Sequence, residues 1–404
     1  MRRIDKALGH DVKVPKDNDP MLVRAGELGG VHELKQLEAY RAQFPGAVVE
    51  IERPTYNSTP EQAEAQMLEL SAKTLEALRS KAPVVFQATF YDGQFQGFAD
   101  FLVLTPEGEY AVYDTKLARK AKITALIQLA AYAHQLKLNQ IPTSSKVHLI
   151  LGDQSISTHS LEDIMPTYLL RRKKMQKLIA ARQANKASGG SAVSWNEPGF
   201  EACGRCVVCE PHVEANDDLL QIAGMRSDQK AKLVAAGITT LTSLAQSAPE
   251  RIAGFNQQSY LKTCGQARLQ LKTRNQQDPK VPAHELINAK AFEALPEPSP
   301  GDIFFDFEGD PLYQEGRIWN LDYLFGYVDE SAEFTPIWAH NLADEKLALI
   351  KLVNMLKERL QKYPDMHVYH YATYEKTHLL SLAARHGFAE EFIDDLLRNL
   401  SLIH

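Results

Sequence analysis

The chain has 404 residues, 44% of them hydrophobic and 24% charged, which is too long for one ordinary core and predicts a soluble protein of two or three folded units. Its formal charge of −6 excludes a protein that coats nucleic acid through bulk electrostatics, so any such contact must be local. No apolar run approaches the roughly 18 residues of a membrane span, and "MRRIDKALGHD" at the start lacks the apolar stretch of a leader, so the expected location is the cytoplasm, with no membrane partner.

In chain order, "ELGGVHELKQLEAYRAQ" (27–43) and "TPEQAEAQMLELSAKTLEALRS" (59–80) space their apolar residues by three and four and predict helices. "PVVFQATFYDGQFQGFADFLVLT" (83–105) reads as two strands joined by a hairpin at Asp92-Gly93, and "EGEYAVYDTKL" (107–117) as a third. A helix over 122–138 and a strand over 146–153 complete an α/β block, followed by a basic helix over about 162–186. "LARKAK" (117–122) and "RRKKMQK" (171–177) are basic clusters that a solvated surface explains as well as a ligand does.

"KASGGSAVSWNEPG" (186–199) is a flexible connection. Short helices are expected from Asp218 to about Lys272, then a polar, proline-bearing linker, then a new α/β start at "IFFDFEG" (303–309). The expected domains are 1–190, a cysteine-containing segment 191–217, a helical region 218–275, a linker 276–300 and a last domain 301–404.

The chemistry concentrates in the strand meander. Asp100 and Asp114 are each expected at the end of a strand, where hairpin pairing brings them together, and Lys116 shares a face with Asp114 by period-two alternation. Two carboxylates and an ammonium suit a hard divalent ion, Mg²⁺ or Mn²⁺, and the hydrolysis of a phosphodiester. Gln128 and Tyr132, four apart on the next helix, face the same way, and His32 offers a neutral imidazole as a third ligand.

In this order His32, Asp100, Asp114-x-Lys116 and Gln128-x-x-x-Tyr132 resemble the RecB-type branch of the PD-(D/E)XK nucleases, and "GFADFL…YDTKLAR…QLAAY" is similar to a bacterial group that adds a ribonuclease H-like domain and sometimes a helicase. The resemblance implies a restriction-endonuclease-like α/β core in which His32, Asp100 and Asp114 hold metal, Lys116 is catalytic, and Gln128 and Tyr132 support the site. It implies a DNA partner, single-stranded or as duplex ends, a role in repair or recombination, and a helicase acting in cis or in trans. Asp114 stands where many members carry Glu.

Cys203, Cys206 and Cys209 are spaced for zinc or a [4Fe-4S] cluster, with His212 and Cys264 as conceivable further ligands. RecB-like nucleases of the AddB type close such a cluster with one cysteine before the core and three after it; the three after it are here, and a preceding one is expected outside this sequence. "LLQIAGMRSDQKAKLVAAGITTLTSLA" (219–245) resembles a helix-hairpin-helix unit whose backbone at Gly224 would meet a DNA phosphate, with Arg226 in place of the second glycine.

Asp306 and Glu308 resemble the first motif of DEDD-type exonucleases and Glu375 the second, which implies a second two-metal centre whose last acid is expected beyond His404. Two other readings fit: a non-catalytic nucleic-acid-binding module of a helicase complex, and an RNA-directed nuclease run by the last domain.

Overall fold

The computed structural model describes all residues except 15–18, 55–58, 196, 198, 201, 205, 249–250, 372, 400–401 and 404, and the side chains of 291, 399, 402 and 403 also fall outside it. The chain forms two compact units, Met1–Glu285 and Leu286–His404.

In the first unit the order is α1 (Arg2–Ala7), α2 (Pro20–Gln43), β1 (Val48–Glu50), α3 (Pro60–Arg79), β2 (Val84–Tyr91), β3 (Gln96–Leu104), β4 (Tyr110–Thr115), α4 (Ile123–Leu138), β5 (Thr143–Ile150), β6 (Ile156–Ser160) and α5 (Leu161–Ala187). The strands make one mixed sheet in sequence order, with β1–β2 and β4–β5 parallel and the rest antiparallel. α2 is capped by Asp19 and α3 by a Thr59–Gln62 capping box, each with a proline at its start, as expected for chain entering a helix from an extended segment. β6 and α1 carry too few apolar residues for their sequences to announce them.

One face of the sheet packs Val84, Phe86 and Phe101 against Leu37 and Tyr40 of α2. The other packs Val85, Ala88, Phe90, Ala99, Leu102 and Val112 against α3 and α4, through Leu70, Leu129 and Tyr132 among others. Phe86 and Ala88 thus lie on opposite faces although they are two apart, and so do Phe101 and Ala99. The alternation inverts at Gln87, which has a φ of +53° within β2, and at Asp100, which occupies the facing gap in the ladder between Phe86↔Phe101 and Ala88↔Ala99. A left-handed non-glycine residue costs about 1–3 kcal/mol, and such residues gather at functional sites.

Residues 210–285 add α6 (Glu210–Ala215), a 3-10 turn Leu219–Gln221, α7 (Ser227–Ala235), α8 (Leu241–Gln246) and α9 (Gln257–Asn275) around their own core of Leu219, Leu233, Leu244 and Tyr260. The second unit has β7 (Ile303–Glu315), β8 (Ile318–Asp329), β9 (Phe334–Trp338), α10 (Leu342–Lys362), β10 (Val368–Tyr371), α11 (Tyr374–His386), α12 (Glu390–Asn399) and β11 (Leu402–Ile403), with sheet order β11-β10-β7-β8-β9. Ile303, Phe305 and Phe307 point into its core while Asp306 and Glu308, between and after them, are exposed. No helix among the described residues is long and apolar enough to cross a membrane.

Gly97 lets β3 pass under α4: a Cβ there would lie 2.8 Å from Tyr132 Cε1 and 2.9 Å from the Phe95 ring. Gly97→Ala should therefore destabilise the first unit by about 1–3 kcal/mol, checked by urea denaturation, because the added methyl must displace the buried Tyr132 ring and the Phe95 ring packed beside it.

Candidate active site

β3 and β4 pair from Leu104↔Tyr110 to Phe101↔Tyr113 and then part. The next residues in register are Asp100 and Asp114. Asp100 is mid-strand, not at a strand end as its sequence suggested, because β3 goes on pairing with β2 through Gln96 after it leaves β4. β4 meanwhile stays with β5 at Asp114↔Leu149 and Thr115↔Ile150. The parting of the strands leaves the two acids at facing positions, close enough for the Asp100 charge to bear on Asp114.

Asp114 is fully buried, and neither of its carboxylate oxygens has a hydrogen-bond donor. Lys116 Nζ closes on Oδ2 as an ion pair without hydrogen-bond geometry, and its own side chain is 34% exposed. Burial first, then the neighbouring Asp100 charge, push the Asp114 carboxyl up to about 7, against the pull of Lys116. Asp100 is held from the other side, its Oδ2 accepting from Thr115 N and Thr115 Oγ1, both at 2.8 Å.

Tyr132 is buried with its hydroxyl 2.9 Å from Gln128 Nε2, which donates to it. Burial, and next to it the charges of Asp114 and Asp100 against the Gln128 bond, hold the phenol protonated, up to about 12. Tyr132 and Gln128 therefore stand over the acid pair as neutral hydrogen-bonding groups, as their helical spacing predicts.

His32 is placed differently. Its Nε2 lies 3.2 Å from Ile150 O, the carbonyl that also accepts from Lys116 N at 2.9 Å. The structure does not bring His32 together with Asp100 and Asp114 as three ligand atoms within 4.8 Å; among the described residues the cysteines alone form such a group.

Three residues next to the acids escaped the sequence reading. Glu33, adjacent to His32, is buried; burial and then the Asp100 charge raise its carboxyl, while Gln87 Nε2 donates to it and Arg53 pairs with it at 3.1 Å. Gln87 carries the inverted backbone, and Thr115 sits unremarked between Asp114 and Lys116. The one available signal was that Glu33 follows a Gly-Gly-x-His run on an otherwise amphipathic helix.

The donor set fits a divalent cation. Two buried or half-buried carboxylates lie side by side, and one of them has no donor to either oxygen.

Residues 26–210 match the family model of the PD-(D/E)XK nuclease superfamily. They are a domain of that superfamily. Residues 303–402 match the RNase H superfamily, and no curated protein gives a match to the chain. The α/β expectation holds in both units, and the nuclease-superfamily match takes in Asp100, Asp114, Lys116, Gln128, Tyr132 and the three cysteines.

Cys203, Cys206 and Cys209 place their sulfur atoms within 4.8 Å of one another, with Cys203 Sγ 3.5 Å from Cys209 Sγ. Burial pushes the Cys209 thiol up to about 11. Three convergent thiols fit a thiophilic metal or a cluster corner. His212 instead stacks on Trp195 with ring centroids 5.2 Å apart, and Cys264 is buried in the helical core 3.7 Å from Ser247 Oγ, so neither joins the trio.

In the expected helix-hairpin-helix, Gly224 has a φ of +79° between a single 3-10 turn and α7. Arg226 is engaged with Asp228, Nε to Oδ1 at 2.9 Å and Nη2 to Oδ2 at 3.2 Å. In the RNase H superfamily domain, Glu375 is buried, and burial followed by the nearby Asp306 raises its carboxyl. The charges of Asp322, Glu308, Glu375 and Asp306 all bear on Tyr374, whose phenol is pushed up to about 12, chiefly by burial. Asp322, which sequence reading did not single out, is buried and accepts from His378 Nδ1 at 2.7 Å.

The raised Asp114 carboxyl has a worked sign. Below the ordinary aspartate value the folded and unfolded forms are equally protonated, and the protein loses stability as the pH rises through about 7. Asp114→Asn should therefore melt about 2 °C or more above the parent at pH 8 in chelator, with the gap closing below about pH 5, read by differential scanning calorimetry.

Proposed function

We propose that the chain is a Mg²⁺- or Mn²⁺-dependent deoxyribonuclease of DNA repair or recombination in the cytoplasm, with the catalytic centre at Asp100, Asp114 and Lys116. The observation that carries this reading is a pair of neighbouring carboxyls at facing register positions, one of them paired with Lys116 Nζ, in a domain of a nuclease superfamily.

Asp100 and Asp114, with His32 as a third ligand, would hold a divalent ion that would neutralise charge on the phosphodiester and activate water. The chain's own residues do the rest. Thr115 fixes the Asp100 carboxylate beside Asp114 through two hydrogen bonds to Oδ2. Lys116, half-buried at the pair, places a positive charge where negative charge grows on the phosphoryl oxygens in the transition state. Gln128 orients the Tyr132 hydroxyl, which at neutral pH donates to an acceptor and takes up no charge.

The same reading assigns the cysteine trio to a zinc ion or a [4Fe-4S] cluster that ties the end of the nuclease domain, the hairpin at Gly224 and Arg226 to a DNA backbone, and a helicase to the complex in cis or in trans. Support for the cysteine assignment is the convergence of the three sulfur atoms.

One observation favours a second activity: Asp306, Glu308 and Glu375, gathered around Tyr374, form an acidic centre on an RNase H superfamily domain, which suits RNA or DNA hydrolysis with two metals.

Cleavage of single-stranded DNA, duplex DNA and RNA in Mg²⁺ and Mn²⁺ separates these. Asp114→Ala and Lys116→Ala should each lower DNA cleavage by about 100-fold or more, with Asp306→Ala leaving it within about twofold. Loss confined to Asp306→Ala would transfer the activity to the RNase H superfamily domain.

A further inference from the structure

The basic run 117–122 leaves β4 directly after Lys116 and leads into α4, and its lysines take no part in the chemistry above. The structure gives them a place. Lys116, Lys120, Lys122, Thr124 and Gln128 line one hollow of about 130 Å³, floored by Ala125, Leu149 and Leu151. Lys120 and Lys122 are exposed, and among the described residues neither has a carboxylate partner. The hollow opens on the catalytic centre because Lys116 and Gln128 belong to both.

Its shape is fixed by backbone, not by the long side chains. Gly152, after β5, lies so close under the Leu117 carbonyl that a Cβ would collide with it, and Gly152 N donates to Ala118 O at 3.3 Å. Lys116 N is bonded to Ile150 O at 2.9 Å. The segment that carries Lys120 is thus clamped to the end of β5, while Lys122 stands at the start of α4, whose first turn has no side-chain cap.

Lys120 and Lys122 beside a hollow with no acid among its lining residues, next to Lys116 already paired with Asp114, make a site for an anion. The size sets the class. A volume of about 130 Å³ is far below the roughly 300–1,000 Å³ of sites that enclose a drug-sized ligand, and it suits a phosphate group but not a nucleoside. The apolar floor offers no acceptor or donor pattern to read a base.

We propose that this hollow is a phosphate subsite of the nuclease domain, in which Lys120 and Lys122 bind the substrate phosphate next to the scissile one and so set the register of the strand on Asp100 and Asp114. The subsite rests on the nuclease reading for its meaning, but its existence is tested by binding alone. The phosphate is either terminal, so that the enzyme prefers a phosphorylated end, or an internal phosphate of the running strand. Lys120 and Lys122 act as binding residues and touch no reacting atom.

The test is fluorescence anisotropy with the full chain in chelator, using the same single-stranded oligonucleotide bearing a 5′-phosphate, a 3′-phosphate or neither, across a series of salt concentrations. For the Lys120→Gln/Lys122→Gln double variant we expect about tenfold weaker binding at low salt and a slope of log affinity against log salt reduced by about 1–2, with Lys137→Gln, at the far end of α4, unchanged in both. Loss confined to one phosphorylated oligonucleotide assigns the hollow to a terminal phosphate; equal loss on all three assigns it to an internal one. Affinity and slope equal to the parent's on all three overturn the subsite. Cleavage in Mg²⁺ is scored separately: a parent that binds but does not cleave, alike with Asp114→Ala, contradicts the nuclease reading and leaves the binding result to stand by itself. Sodium phosphate at matched ionic strength should compete with the oligonucleotide for the parent and not for the double variant.

Discussion

The parting of β3 from β4 at Asp100 and Asp114 is the constraint on which the first unit is organised. Ladder hydrogen bonds hold two antiparallel strands about 5 Å apart, and carboxylates placed opposite each other on such a ladder repel. Here the ladder ends one pair before the acids meet, each strand stays paired on its outer side, and the two carboxyls are left as neighbours with Lys116 paired to one of them. A buried carboxylate without a donor is among the costliest groups a fold can carry, and its titration toward neutrality is how the protein tolerates it when no cation is present. The surrounding irregularities serve that gap: the inverted backbone at Gln87 faces Asp100, the bare Gly97 admits Tyr132, and Thr115 bonds back across to the Asp100 carboxylate.

Much of this was legible because it obeys simple periods. Asp114 and Lys116 share a face by alternation, Gln128 and Tyr132 by one helical turn, and the hairpin at Asp92-Gly93 announces the β2–β3 pairing that sets Asp100 in register. What stayed hidden depends on breaks in period. Gln87 is a left-handed residue inside an apolar run, which no composition signals, and Asp100 is mid-strand because β3 goes on pairing with β2 after it leaves β4. Glu33 reads as an ordinary helix acid until the fold buries it against Gln87. Cys264 resembled a metal ligand only because it is a cysteine; packing makes it a small apolar residue of the helical core.

The acidic centre of the second unit is built on different chemistry. Asp306 and Glu308 alternate outward on β7, as their sequence indicates, but Asp322 joins them only through the register shift at Gly309, where a Cβ would lie 2.8 Å from both Asp322 Oδ1 and Tyr374 Oη. Imidazoles take the place that a lysine fills in the nuclease domain: His370 Nδ1 lies 3.2 Å from Glu375 and His378 Nδ1 2.7 Å from Asp322.

The central claim is that Asp100 and Asp114 together hold a hard divalent cation. Isothermal titration of Mn²⁺ at pH 7 into the chain carrying Asp306→Ala and Glu308→Ala, repeated in two buffers of different ionisation enthalpy, tests it most directly. The account predicts one site that releases protons on filling, because the raised Asp114 carboxyl must give up its proton, and that disappears with Asp114→Asn. A site retained unchanged in Asp114→Asn, or none at all in the parent, would contradict it.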